Sequence, residues 1–239
     1  MESTRTRVLV HGASGRMGRA LLRLIAADAS LELAAAVTGS GAHDLGDVVQ
    51  LPASRLEDAP DFDVVVDFSL PAGFDAVLAL CRQRGRPLVS GTTGLSDAQR
   101  EALDRAGHEL PILWSANFSL GVTVLAELVR RAAAALPGWD CDIVESHHVN
   151  KRDAPSGTAL MLGESVEAGR GRPPAYASLR AGDIVGEHLV QLASAGERLE
   201  LVHRATDREI FARGALHAAR WIAGETPGRY AMKDCLGLD

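Results

Sequence analysis

Two imidazoles, an ammonium and a guanidinium lie close together in Glu145-Ser-His147-His148-Val-Asn-Lys151-Arg-Asp153-Ala-Pro-Ser156-Gly157-Thr158. Three chemistries compete for this stretch. A metal site would use Glu145, His147, His148 and Asp153, but neighbouring residues on a strand point to opposite faces, so the histidine pair does not easily share one ion. A solvated polar loop is the plainest alternative. The third is an anion site with a proton donor. Lys151 supplies the cationic head, the Ser156 hydroxyl and the N–H groups of Gly157 and Thr158 sit where a helix begins, and a histidine exchanges protons near neutral pH. That combination suits a small molecule bearing a carboxylate.

A second cluster lies near the amino terminus. Gly12-Ala13-Ser14-Gly15-Arg16-Met17-Gly18 is a G-x-x-G-x-x-G variant of the dinucleotide fingerprint, placed between an apolar strand and a helix. Glycines there let backbone approach a pyrophosphate, and the helix start binds it; a turn that merely needs glycine's freedom would look the same. The second strand ends Val37-Thr38-Gly39-Ser40 without the usual acid. Thr38 and Ser40 can bond either form of the ribose, Arg16 offers a charge for a 2′-phosphate, and Asp44 or Asp47 could reach back, so NADH and NADPH are both admitted. A nucleotide turn plus a cation-rich loop points to reduction of an acidic small molecule, because hydride addition at carbon needs a matching proton.

The elements that must carry these residues are legible. Short apolar runs at Val8–Val10, Leu31–Val37, Val64–Val66, Pro87–Val89 and Pro111–Trp114 alternate with helical stretches. This is a βαβ rhythm repeated about five times, as a parallel sheet covered on both faces requires. Pro71 opens one helix and Ser96 caps another. Past Phe118 the rhythm changes to a helix over 122–136, a strand over 140–147, a helix over 156–168, and strands over 188–193 and 198–203 about a turn at Ala195-Gly196. A last helix capped by Asp207 runs through Ala223, and the tail returns to the first domain.

Composition excludes much else. Of 239 residues, 46% are apolar and 23% charged, so a packed core forms and wholesale disorder is excluded. The net charge of −6 and an aromatic share of 4% disfavour a nucleic-acid binder. Cys81, Cys141 and Cys235 form no CxxC, which suggests neither a disulfide framework nor structural zinc. With no leader-like start and no apolar run of about 20 residues, the expectation is a soluble cytoplasmic protein with no membrane partner.

With these residues in view, the chain resembles the 4-hydroxy-tetrahydrodipicolinate reductase (dihydrodipicolinate reductase) family of lysine and diaminopimelate synthesis. The resemblance runs through the glycine turn, Asp67-Phe-Ser-Leu-Pro71, Gly91-Thr-Thr-Gly94, Ala116-Asn-Phe-Ser-Leu-Gly121 and the histidine loop through Leu160. It continues in Gly186-Glu-His188, Phe211-Ala-Arg-Gly-Ala215 and Met232-Lys-Asp-Cys-Leu-Gly-Leu238. It implies an α/β architecture: a Rossmann-like doubly wound parallel sheet over 1–117, with 214–239 packing back on it. A hinged α+β substrate and oligomerisation domain on a mixed open sheet would occupy 118–213. A nicotinamide cofactor would lie over Gly12 to Met17 and Thr38, with Gly91, Thr92, Thr93, Ser115, Ala116, Asn117 and Phe118 lining its nicotinamide half. His147 is implied as proton donor or acceptor, Lys151 as a second proton donor, and His148, Ser156, Gly157 and Thr158 as the holders of a dicarboxylate. A homotetramer and no bound metal are implied as well. The family often carries an acid where Thr38 stands and arginine where Gly39 stands; Ser115 replaces a commoner alanine, and Val149-Asn150 vary. Another amino-acid dehydrogenase of the same architecture, or a non-catalytic nicotinamide-binding regulator, are the competing readings.

Overall fold

The structure is a computed structural model and describes residues 5–39 and 44–238. Ser40 and Gly41, and the polar start of the chain before Arg5, lie outside the described residues. The chain divides into two compact units, one reaching to Phe118 and including Phe211–Gly237, the other Ser119–Ile210.

The first unit is a sheet of strands β1 (Thr6–His11), β2 (Leu31–Thr38), β3 (Gln50–Pro52), β4 (Val64–Asp67), β5 (Leu88–Ser90), β6 (Pro111–Trp114) and, from the tail, β11 (Gly228–Tyr230). Their order is β11-β6-β5-β4-β1-β2-β3, and all the pairings are parallel. Order reverses between β1 and β4, the switch point where an open α/β sheet forms its ligand crevice at the strands' carboxyl ends. Val8, Leu9, Val10, Val64, Val65, Val66, Leu88 and Val89 are fully buried, as continuous apolar runs must be when helices cover both faces.

Helices α1 (Arg16–Ala26), α2 (Pro71–Arg84) and α3 (Asp97–Ala106) make the crossovers. Pro71 occupies the first turn of α2, where its missing N–H costs nothing. Ser96 caps α3 reciprocally with Gln99. The fivefold rhythm expected from sequence is thus three helical crossovers among the described residues. Between β2 and β4 the chain instead makes the edge strand β3 and a 3-10 turn over Ala53–Asp58, because Pro52 and Pro60 break up any longer helix.

The second unit pairs α4 (Leu120–Ala135) and α5 (Gly157–Arg170) with a sheet ordered β10-β9-β7-β8. Here β7 is Asp140–His147, β8 Ala175–Arg180, β9 Gly186–Ser194 and β10 Glu197–Ala205. The β7–β8 pair is parallel and the other two are antiparallel, so the sheet is mixed. Its core contains Leu125, Val129, Ile143, Leu162, Val190 and Leu192. Strand β8 was not foreseen: as an exposed edge strand, Ala-Tyr-Ala-Ser-Leu-Arg carries no apolar alternation to announce it. Helix α6 (Glu209–Ile222) begins where the Asp207 carboxylate accepts from the Glu209 N–H at 2.9 Å. No helix among the described residues is long and apolar enough to cross a membrane.

Candidate active site

In the first unit the glycine turn lies at the switch point. The Gly12 and Ala13 N–H groups both donate to the Val37 carbonyl, at 3.0 and 2.9 Å, which ties the turn to the end of β2. Gly12 has φ +80°, and a Cβ there would lie 2.5 Å from the Phe68 carbonyl oxygen; one on Gly18 would lie 2.4 Å from that of Gly12. No other residue type fits either position without moving backbone. Gly15 starts α1 with no side-chain cap, and the first turn carries no acid. The helix therefore presents its positive end and first N–H groups uncontested, which suits a diphosphate.

Gly15 and Arg16 are exposed, Ser14 and Met17 half-buried, Ala13 buried. Thr38 is buried at the end of β2. Asp44 and Asp47 are exposed, and the Asp44 carbonyl accepts from the Arg19 guanidinium at 3.1 Å.

Beneath the crevice lies a polar knot that sequence reasoning missed. The buried Asp67 carboxylate ends β4 and bonds Nδ1 of His11 at 2.9 Å. It also accepts from the Ser90 hydroxyl (2.8 Å), the Thr92 hydroxyl (2.8 Å) and the Ser69 N–H (3.1 Å). Burial works to raise its pKa, and the bonds from His11, Ser69 and Ser90 outweigh it, leaving it below the usual carboxylate value. The Thr92 hydroxyl is thereby committed to Asp67. Thr93 is exposed and Gly91 half-buried. Ser115 and Asn117 are half-buried and Ala116 exposed, while the Phe118 ring is buried edge-on to Phe68 with centroids 5.3 Å apart.

In the second unit the inward face of β7 reads Cys141, Ile143, Glu145, His147, apolar and then polar as the strand leaves the core. Register sets their neighbours: Glu145 faces His188 on β9, and His147 faces Arg180 on β8. The His147 Nδ1 lies 2.5 Å from Glu145 Oε2. Arg180 grips the same carboxylate with Nη1 to Oε2 at 2.9 Å and Nη2 to Oε1 at 2.8 Å. Burial would raise Glu145, but hydrogen bonds from Arg180, Ser178 and His147 bring it down to about 2.

His147 itself is lowered, chiefly by burial, against the pull of Glu145. His188 stacks edge-on to it at 5.2 Å and is pushed down to about 4 by burial and the neighbouring His147. Burial thus favours the neutral form of both rings, most strongly at His188.

The loop beyond β7 brings Lys151 to this end of the sheet, its ammonium 2.9 Å from the Asp153 carboxylate, which it holds below its usual value. His148 is half-buried on the opposite parity from His147. Gly157 and Thr158 form the first turn of α5, where no acid stands. Ser156 caps that helix through its hydroxyl, which accepts from the Ala159 N–H at 3.1 Å and lies 3.1 Å from His188 Nε2. The hydroxyl is buried and committed to these two partners, so it is not offered to an anion at this helix start. Arg180 and His188 were given no role from sequence, and Glu145 only that of a candidate metal ligand. The one available signal was the period-two spacing of Glu145 and His147.

The comparisons with known proteins follow this geometry. The family models described as dihydrodipicolinate reductase, N-terminus, and dihydrodipicolinate reductase, C-terminus, match residues 6–118 and 121–236. A 4-hydroxy-tetrahydrodipicolinate reductase of Stenotrophomonas maltophilia is 62% identical over 239 residues, covering 99% of this chain and 100% of that protein. One of Xanthomonas axonopodis pv. citri is 60% identical over 236 residues, covering 98% and 99%. Among solved structures, a dipicolinate-bound dihydrodipicolinate reductase from Paenisporosarcina sp. TG-14 shares the fold at a TM-score of 0.81 and 24% identity, over 95% of this chain and 98% of that one. A DAP dehydrogenase of C. glutamicum shares it less closely, at a TM-score of 0.62 and 15% identity over 96% and 93%. Matched across both units by its models and along its whole length by close relatives, the chain belongs to the dihydrodipicolinate reductase family.

Proposed function

We propose that the chain performs its family's reaction, the NAD(P)H-dependent reduction of 4-hydroxy-tetrahydrodipicolinate to tetrahydrodipicolinate with loss of water, and that the second unit supplies the acid–base groups. The observation that carries the assignment of residues is the buried His147, held on Glu145, at the same sheet end as Lys151 and the start of α5.

The first unit fits a dinucleotide: the glycine turn leaves no room for a side chain and α1 begins without a competing anion. Gly12 to Met17 would hold the diphosphate, Thr38 would face the adenosine ribose, and Gly91 to Thr93 with Ser115 to Phe118 would line the nicotinamide half. When bound, the reduced nicotinamide supplies a hydride.

Lys151, His148, Gly157 and Thr158 bind the substrate's carboxylates, Lys151 by exchanging Asp153 for the ligand. The proton that matches the hydride comes from the protonated form of His147, through Nε2, or from a water that it orients, and Lys151 is the second donor. Steady-state rates with freshly generated substrate, NADH against NADPH, test the reading; binding of either cofactor without its oxidation in the presence of substrate would refute it.

Cofactor preference turns on the end of β2. Replacing Thr38 by Glu places a carboxylate where it accepts from ribose hydroxyls and repels a 2′-phosphate. The ratio of kcat/KM for NADH to that for NADPH is expected to rise by about an order of magnitude; an unchanged ratio would put selection elsewhere, at Arg16.

The outward face of the four-stranded sheet carries the exposed Leu179 and Val202. A second copy covering this face fits a homotetramer built through the second units, and sedimentation velocity is expected to show four chains. The reduced, buried thiols of Cys81, Cys141 and Cys235 fit a cytoplasmic setting.

A further inference from the structure

We propose that Glu145 and Arg180 are positioning residues for both proton donors. The Glu145 carboxylate fixes the His147 ring, and the Arg180 guanidinium ties that carboxylate to the loop carrying Lys151. This rests on the assignment of His147 and Lys151 above and deepens it.

Arg180 makes more bonds than a surface arginine requires. Besides its two-pronged grip on Glu145, Nη2 donates to the Asp153 carbonyl at 2.6 Å and Nε to the Lys151 carbonyl at 3.3 Å. The same guanidinium therefore spans the end of β7, the inward carboxylate and two points of the loop on either side of Arg152. The Ser156 N–H adds a bond to Glu145 Oε1 at 3.3 Å, so the start of α5 is tied in too.

The chemistry requires an arginine here. A fully buried carboxylate beside an imidazole at 2.5 Å competes with it for the proton. Left without Arg180, Glu145 would be raised by burial and, as a more basic partner, would pull harder on the Nδ1 proton and raise the ring's proton affinity. The fixed cation keeps Glu145 ionised, so the proton stays on His147 Nδ1 when the ring is neutral and Nε2 is the atom that gains and loses protons. That Nε2 points at Gly186, where a Cβ would lie 3.0 Å from it; the glycine keeps this edge of the ring unblocked.

The groups facing His147 are Glu145 on its own strand, Arg180 on β8, His188 on β9 and Lys151 in the loop. Glu145 raises its proton affinity, Lys151 and Arg180 lower it, and His188 is neutral. Removing Glu145 and removing Arg180 should accordingly move the ring in opposite directions, which loss of packing alone would not do.

The test compares Glu145→Gln, Arg180→Gln and Arg180→Lys in the full chain. With NADPH and substrate, kcat should fall roughly 10²-fold in Glu145→Gln. The alkaline limb of its kcat/KM profile should move to lower pH, and that of Arg180→Gln to higher pH. Arg180→Lys keeps the charge but not the fork, and should raise the substrate KM through a looser Lys151 loop while restoring the limb. Imidazole ¹⁵N spectra, assigned with His147→Gln, should show the proton on Nδ1 in the parent protein and its loss to an Nδ1/Nε2 mixture in Glu145→Gln. A parent ring protonated on Nε2, or limbs that move together or not at all, would overturn the proposal. Should either Gln variant unfold, the Arg180→Lys KM and limb decide the matter alone. The expected ring spectra with unchanged turnover would support the pair and overturn His147 as the donor.

Discussion

Lys151→Ala is expected to lower turnover by roughly 10²–10⁴-fold while NADPH binding survives. The loop that carries Lys151 is held by backbone, its carbonyl accepting from Arg180 and its N–H donating to the His148 carbonyl at 3.1 Å, so truncation leaves the loop in place. What is lost is an ammonium that already sits on one carboxylate, Asp153, and is only one-fifth exposed. Binding and proton donation are separable here. Lys151→Arg keeps a permanent cation that cannot give up its proton. If arginine restores KM and leaves kcat low, both roles stand; if it restores kcat as well, Lys151 only holds the substrate. An equal fall in cofactor affinity in Lys151→Ala would contradict the assignment, and titration of cofactor fluorescence reads it directly.

Asp67→Asn is expected to be the most destabilising conservative change in the first unit. The carboxylate takes bonds from His11, Ser69, Ser90 and Thr92, and joins the ends of β1, β4 and β5 with the segment after β5. An amide keeps one acceptor and turns a donor toward groups that are themselves donors, at a cost of about 3 kcal/mol. Denaturant midpoints measure it. Because Asp67 has its pKa lowered in the folded protein from 3.8, it stabilises the fold fully above that value and progressively less as pH falls below it toward the native value. The gap between parent and variant should therefore be widest near neutral pH and narrow in acid. Cofactor affinity should weaken too, since Thr92 hangs on this carboxylate.

Much of this protein could be read from local sequence. Continuous valines and leucines between helical stretches specify a parallel sheet, because only burial on both faces permits them. Gly12, Gly15 and Gly18 announce the turn and Ser156 the start of α5, since caps and tight turns are chosen by the few residues within them. The histidine loop stood out through the residue types it gathers. Edge strands β3 and β8 did not show, because with little to bury they need no pattern.

Local sequence could not say which distant strands become neighbours, or in what register. Arg180 reaches Glu145 across 35 positions, and Ser156 meets His188 across 32. Asp67 gathers a histidine 56 positions earlier and hydroxyls more than 20 later. Spacing of one residue decides whether a side chain on β7 enters the core or leaves it, and only pairing with β8 and β9 assigns its partner. The chain alone gathered the histidines and the lysine proposed to exchange protons; the assembled sheet decided which carboxylate holds the ring, and turned the Ser156 hydroxyl inward as a cap, because a buried polar atom must find its partner wherever the fold has placed one.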